Sequence, residues 1–141
     1  MLLIKNATVY TMETGEVLHN TDILCEGGKI KSIGQDLRAE GAQIIDAAGM
    51  VATPGLVDAH VHTGGFDLNS PDLNEMTDPV TASLDAIHAI DIRSRDFQEL
   101  HTRGVTACCF VPGSANVVCG TGFVAKTAGK NSIQDLAVVD R

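Results

Sequence analysis

The sequence predicts an α/β fold led by a small β module, and three observations carry the prediction. Up to about residue 52 short β-prone runs alternate with glycine turns. After Pro54 comes a continuous apolar-leaning run, "GLVDAHVH". Beyond it a helical stretch leads into a second apolar run, "VTACCFV". Strand, helix, strand with apolar strands is the order of a parallel sheet covered by helices.

Within the first module, residues 1–53, "LLIKNATVY" mixes β-branched and apolar residues. "DILCEGGKIKSIG" holds two strand-like runs around Gly27-Gly28, and glycine accepts the positive φ that both centres of a two-residue hairpin turn require. "AQIIDAAGMVATPG" supplies a further strand broken at Gly49, which makes the whole a small β-sandwich-like module.

In residues 54–141, "GLVDAHVH" reads as a strand buried on both faces. A polar loop follows, from Thr63 to about Thr77. A helix is expected next, with Ser94 as N-cap, Phe97 and Leu100 three apart on one face, and Gly104 at the C′ position. Residues 105–111 read as a second buried strand closed by a Pro112-Gly113 turn, and 122–129 as a third strand. "NSIQDLAVVDR" is expected to open a helix capped by Asn131 or Ser132.

Composition narrows the function classes. The chain has 141 residues, 44% hydrophobic and 20% charged, as in soluble globular proteins. A net charge of −8 argues against nucleic acid, whose binding rests on phosphate neutralisation. No apolar run approaches the roughly 20 residues of a membrane span, which argues against a membrane protein. The opening "MLLIKN" lacks the parts of a secretion signal. Four cysteines without CxxC spacing, two of them adjacent, suit reduced thiols and a cytoplasmic setting.

Chemistry gathers at His60 and His62. Side chains at i and i+2 of a strand project from one face, about 6.5–7 Å apart at their α-carbons. The two imidazoles therefore point the same way, with Leu56 and Asp58, while Val57, Ala59 and Val61 point oppositely toward helices. Two converging imidazoles suit a divalent transition metal. Asp58 could orient one ring by accepting its distal N–H. The bland alternative is a solvated histidine pair at a strand end. Parallel α/β folds place their chemistry at the carboxyl edge of the sheet, where this pair lies, before a Gly64-Gly65 loop expected to be flexible. Ser114 and Asn116, which follow the second strand on the same edge, are candidates for a substrate pocket or for shaping the loop. His88 and His101 fall in or beside the helical segment and His19 in the β module, so all three are read as surface histidines. "GTGF" at 120–123 lacks the lysine and spacing of a phosphate loop.

"TPGLVDAHVH", preceded by "IIDAAGMVATPG", resembles the N-terminal signature of the metal-dependent amidohydrolase superfamily. "GVTACCFVPGSANVVCGTGFVAKTAG" is similar to an imidazolonepropionase-related branch, although Val117, Val118 and Cys119 stand where that branch has Pro, Ile and Gly. The resemblance implies the beginning of a (β/α)8 TIM-type barrel, one or two divalent metals (usually zinc), and hydrolysis of an amide-like bond by metal-activated water. His60 and His62 match the first-strand ligands, and the carboxylated lysine that the resemblance implies makes Lys126, at the end of the third strand, a candidate bridging ligand; the remaining ligands and a catalytic aspartate are expected beyond Arg141.

Such a barrel takes about 250 residues, and 87 follow Pro54, enough for two or three βα units. The expectation is therefore an incomplete barrel, an N-terminal part inactive by itself, acting on a small molecule and forming a homo-oligomer when full length. Two other readings stand beside it: a non-catalytic amidohydrolase-like scaffold, and a complete small α/β domain that binds a partner.

Overall fold

The computed structural model describes residues 1–65 and 74–139, in two compact units, Met1–Pro54 and Gly55–Arg141. Residues 66–73 of the expected polar loop lie outside the described residues. Among the described residues no helix is long and apolar enough to cross a membrane.

The first unit is a single five-stranded sheet built on β1 (Leu2–Tyr10). β2 (Val17–Glu26) lies antiparallel along one edge of β1, and β3 (Lys29–Gly34) lies antiparallel to β2. The β2–β3 turn is the expected two-residue hairpin, Glu26 pairing Lys29, with φ of 58° and 76° at Gly27 and Gly28. The other edge of β1 is shared by two short parallel strands, β4 (Gln43–Asp46) on its first half and β5 (Val51–Ala52) on its second. β4 and β5 thus extend one sheet, and among the described residues of this unit no second layer of the sandwich-like expectation is present. Ala7, Val9, Ile23 and Ala47 make the core of this unit.

One irregularity organises the module. Ile4 pairs Ile23 but Ala7 pairs Thr21, so β1 carries an extra residue. Asn6 sits there with φ of 63°, and its N–H donates to Asp22 Oδ1 at 3.0 Å. Asp22 Oδ2 accepts from the Leu37 N–H at 3.0 Å and lies 3.3 Å from Lys5 Nζ. Burial pushes the Asp22 carboxyl up, but the Asn6 N–H, Lys5 and the Leu37 N–H together outweigh it and hold its pKa below the usual range.

The second unit opens with β6 (Leu56–Val61), followed by a 3-10 turn at Ala86–His88 and α1 (Arg95–Thr102), then β7 (Val105–Phe110) parallel to β6. Ser94 caps α1 by accepting the Phe97 N–H, and Gly104 follows the helix at φ 83°, both as the sequence predicts. Phe97 and Phe110 are stacked with ring centroids 5.6 Å apart, and Phe110 and Phe123 at 5.2 Å. All three rings are buried, each worth about 1.5–3 kcal/mol of apolar transfer.

After β7 the chain departs from the predicted order. β8 (Phe123–Lys126) runs antiparallel to β7, and β9 (Ala137–Val139) antiparallel to β8, so the sheet order is β6-β7-β8-β9. A parallel return needs a crossover of a dozen or more residues, usually a helix. The link from Val111 to Gly122 contains no helix and returns as a long hairpin connection. The helix expected near 131 is a single turn, α2 (Ile133–Leu136), capped by Ser132. β-branched Val138 and Val139 then favour the strand that ends it.

β6 is not buried on both faces as its composition suggests. Leu56 is 59% and Val57 70% exposed, whereas Val61 is 8% exposed. Within the described sheet β6 is an edge strand with β7 as its one neighbour, so packing reaches only its carboxyl end.

Candidate metal centre

His60 is the next-to-last residue of β6 and His62 lies one residue past the strand. Asp58 pairs Cys108 while Val61 pairs Phe110, so β6 gains one residue against β7 between these pairs. Such a bulge re-aims side chains at a strand end. Asp58 Oδ1 holds it by accepting the His60 main-chain N–H at 3.1 Å. Asp58 therefore steadies the backbone that leads into His60, where the sequence suggested a contact to an imidazole N–H.

The rings do share one side. Nε2 of His60 and Nε2 of His62 are 3.4 Å apart, with ring centroids 5.1 Å apart and planes at 87°. Two nitrogens each bound to one zinc at about 2.0–2.1 Å with tetrahedral angles stand about 3.4 Å from each other. The spacing of the two nitrogens thus fits a shared tetrahedral ion. His62 Nδ1 donates to the Val111 carbonyl at 2.9 Å, and the Val111 N–H donates to the Val61 carbonyl at 3.0 Å.

The loop after the pair is fixed rather than flexible at its start. Gly64 is buried at φ 84°; its N–H donates to Asp96 Oδ2 at 2.9 Å and its carbonyl accepts the Asp91 N–H at 2.7 Å. A β-carbon at Gly64 would lie 2.8 Å from Ile90 Cγ2. Burial pushes the Asp96 carboxyl up, but the Ser94 hydroxyl and the Gly64 N–H hold its pKa below the usual range. Neither Val111 nor Asp96 is a candidate from sequence. Val111 acts through a main-chain carbonyl, which residue type does not report, and Asp96 looks like an ordinary first-turn helix acid.

The remaining candidates separate. Lys126 pairs Ala107, which also pairs Val57, whereas the histidines lie level with Phe110. Because β8 runs antiparallel, its last residue sits at the opposite end of the sheet from the pair, and the structure does not bring Lys126 to the histidines. Ser114 is exposed. Asn116 shapes the loop: its Nδ2 donates to Thr81 Oγ1 at 2.7 Å and to the Val118 carbonyl at 3.0 Å, closing residues 79–81 onto 116–118. His19, His88 and His101 are exposed, as expected. Cys108 is fully buried, and burial with the nearby Asp58 charge pushes its thiol up to about 11, so it offers no thiolate. Among the described residues no three His, Cys, Asp or Glu side chains gather into a metal-holding group.

A cavity of about 500 Å3 opens beside Val111, lined by Leu84, Asp85, Ala86, His88, Ile90 and Pro112 among others. Its walls come from the segments that follow β6 and β7, the carboxyl edge where the histidines stand. It falls in the size range of small-molecule sites, about 300–1,000 Å3.

No family model matches the chain. Among curated proteins it is similar to an allantoinase of Enterococcus faecalis, 57% identical over 61 residues, 43% of this chain and 12% of that protein. It is also similar to a dihydroorotase of Lactobacillus johnsonii, 55% identical over 60 residues, 43% of this chain and 13% of that protein. Among solved structures, an amidohydrolase from Thermotoga maritima MSB8 superposes with a TM-score of 0.87 at 34% identity, over 99% of this chain and 37% of that one. The chain thus spans little more than a third of that structure and a smaller share of the curated relatives. These likenesses support a place in the amidohydrolase superfamily.

Proposed function

We infer that the protein is a hydrolase of the amidohydrolase superfamily, with His60 and His62 as two ligands of a divalent metal, zinc in the first instance. The observation that carries this reading is the 3.4 Å spacing of the two Nε2 atoms. A bound metal would polarise a carbonyl and lower the pKa of a water toward neutrality. The chain's own contribution is positional. Asp58 fixes the backbone at His60, Val111 orients the His62 ring, and Gly64 and Asp96 hold the loop that follows. The cavity beside Val111 is where we place the substrate, a small molecule with an amide-like C–N bond: a cyclic amide such as an imidazolone, an N-acyl amino acid or a dipeptide. The imidazolonepropionase-related branch is the subgroup we favour, on the stretch from Gly104 to Gly129.

A catalytic zinc takes three protein ligands and keeps a water, and the described residues bring two together. We place the remaining ligands and the proton-carrying carboxylate in the kind of further sequence that the matched relatives have, within a completed (β/α)8 barrel. By that account the 141 residues alone bind metal and do not turn substrate over.

Metal content and hydrolysis of a panel of these three substrate classes test the reading. A protein carrying this segment with its remaining ligands is expected to hold stoichiometric divalent metal and to cleave at least one class. His60→Ala or His62→Ala is expected to weaken metal affinity by more than about a hundredfold, since even groups that merely support a ligand are worth 10–100-fold. Unchanged metal occupancy in either variant, or turnover by the 141-residue chain alone, contradicts it. An intact protein without metal or hydrolysis would favour the scaffold reading.

A further inference from the structure

The geometry points to Val111 as a positioning residue that fixes the protons of the histidine pair before any metal arrives, so that the rings hold opposite tautomers. This rests on the proposed metal site. A carbonyl oxygen only accepts, so the 2.9 Å contact between His62 Nδ1 and the Val111 oxygen requires the proton to be on Nδ1. In the neutral ring Nε2 is then bare, 3.4 Å from Nε2 of His60. The 3.4 Å contact between the two Nε2 atoms needs one donor, and with His62 Nε2 bare that donor is the Nε2–H of His60. The pair is therefore asymmetric: His62 stands ready as a ligand, and His60 must move its proton to Nδ1 before its Nε2 can bind.

The fold shows why this carbonyl can do the work. Val111 is the first residue after β7, and its N–H continues the parallel pairing by donating to the Val61 carbonyl at 3.0 Å. Residue 61 is thus pinned to residue 111 through the main chain, and the ring of residue 62 reaches the carbonyl of that same residue. Placement depends on β6 and β7 being in register at Val61 and Phe110, not on the Val111 side chain. The preference also runs against that of a solvated histidine, whose neutral ring favours the proton on Nε2. His62 is half-buried and His60 exposed, consistent with one fixed ring and one adaptable ring.

Nitrogen-15 NMR of the histidine-labelled, metal-free 141-residue chain, at a pH where both rings are neutral, reads the tautomers directly. The expected result is a protonated Nδ1 and bare Nε2 in His62, and the reverse in His60. In His60→Ala the His62 pattern is expected to persist, because Val111 remains; the main-chain amide spectrum of that variant reports that the fold is retained. Nε2–H at His62 in the wild type, rapid averaging between the two forms, or loss of the Nδ1–H form in His60→Ala overturns the assignment. Zinc titration on the same sample then tests the metal site separately. Failure to bind zinc with the tautomers as stated refutes the proposed site and leaves the role of Val111 standing; zinc binding with the opposite tautomer does the reverse.

Discussion

His60 and His62 are two of five histidines, and their shared side was legible because a strand's side-chain period is two. What the period could not show is the proton pattern, since Val111 is 49 positions from His62 and contributes a main-chain atom. Asp22 is a second residue whose role composition hides. It is buried at 2% exposure, and its carboxylate supports the Asn6 bulge, Leu37 and Lys5 at once. Replacing it with alanine leaves two N–H groups without their acceptor and is expected to cost about 3 kcal/mol in urea unfolding, as for a buried ion pair broken on one side. The sign of its pH dependence follows from its depressed pKa. The stabilisation is present above the unfolded carboxylate pKa of about 3.9 and is lost as pH falls through the lower folded value. Acid unfolding followed by circular dichroism should therefore show a shallower acid limb in Asp22→Asn than in the wild type. An identical limb in both would remove Asp22 from this role.

At the level of elements, the hairpin at Gly27-Gly28, the α1 caps and the parallel β6–β7 pair follow from local rules, and all three are found. The direction of β8 does not, because strand sense depends on whether a crossover helix forms, and residues 111–122 carry no local signal for or against one beyond Pro112-Gly113. That single reversal carries Lys126 to the far end of the sheet. Gly64 shows the opposite case, a residue that sequence marks as free but tertiary structure holds. Its positive φ costs a side-chain-bearing residue about 1–2 kcal/mol, and a β-carbon would press on Ile90. Gly64→Ala is expected to lose about 2 kcal/mol or more in chemical denaturation and to weaken zinc binding in parallel, since Gly64 is two residues from His62. Full stability with full zinc affinity would show that this tether does not position the site.

For the molecule as a whole, the same exposure that contradicts the expected two-sided burial of β6 makes a prediction. Leu56 and Val57 sit on an edge strand at 59% and 70% exposure, and an apolar edge is a template for further pairing. The 141-residue chain should associate as its concentration rises, and Val57→Lys should suppress this in light scattering coupled to gel filtration. A wild-type chain monomeric across the concentration range would contradict it. The apolar content of β6 was readable as burial because composition reports what a strand is made to contact; which chain supplies that contact is not a property of the strand.

The shared cation between the two imidazoles is tested most directly by anomalous diffraction at the zinc edge, on crystals of this chain grown with zinc. The account predicts one anomalous peak between the rings, about 2.0–2.1 Å from Nε2 of both His60 and His62, with the Val111 carbonyl still holding Nδ1. A zinc bound through Nδ1, or bound to only one of the two rings, or absent from the pair, would contradict it.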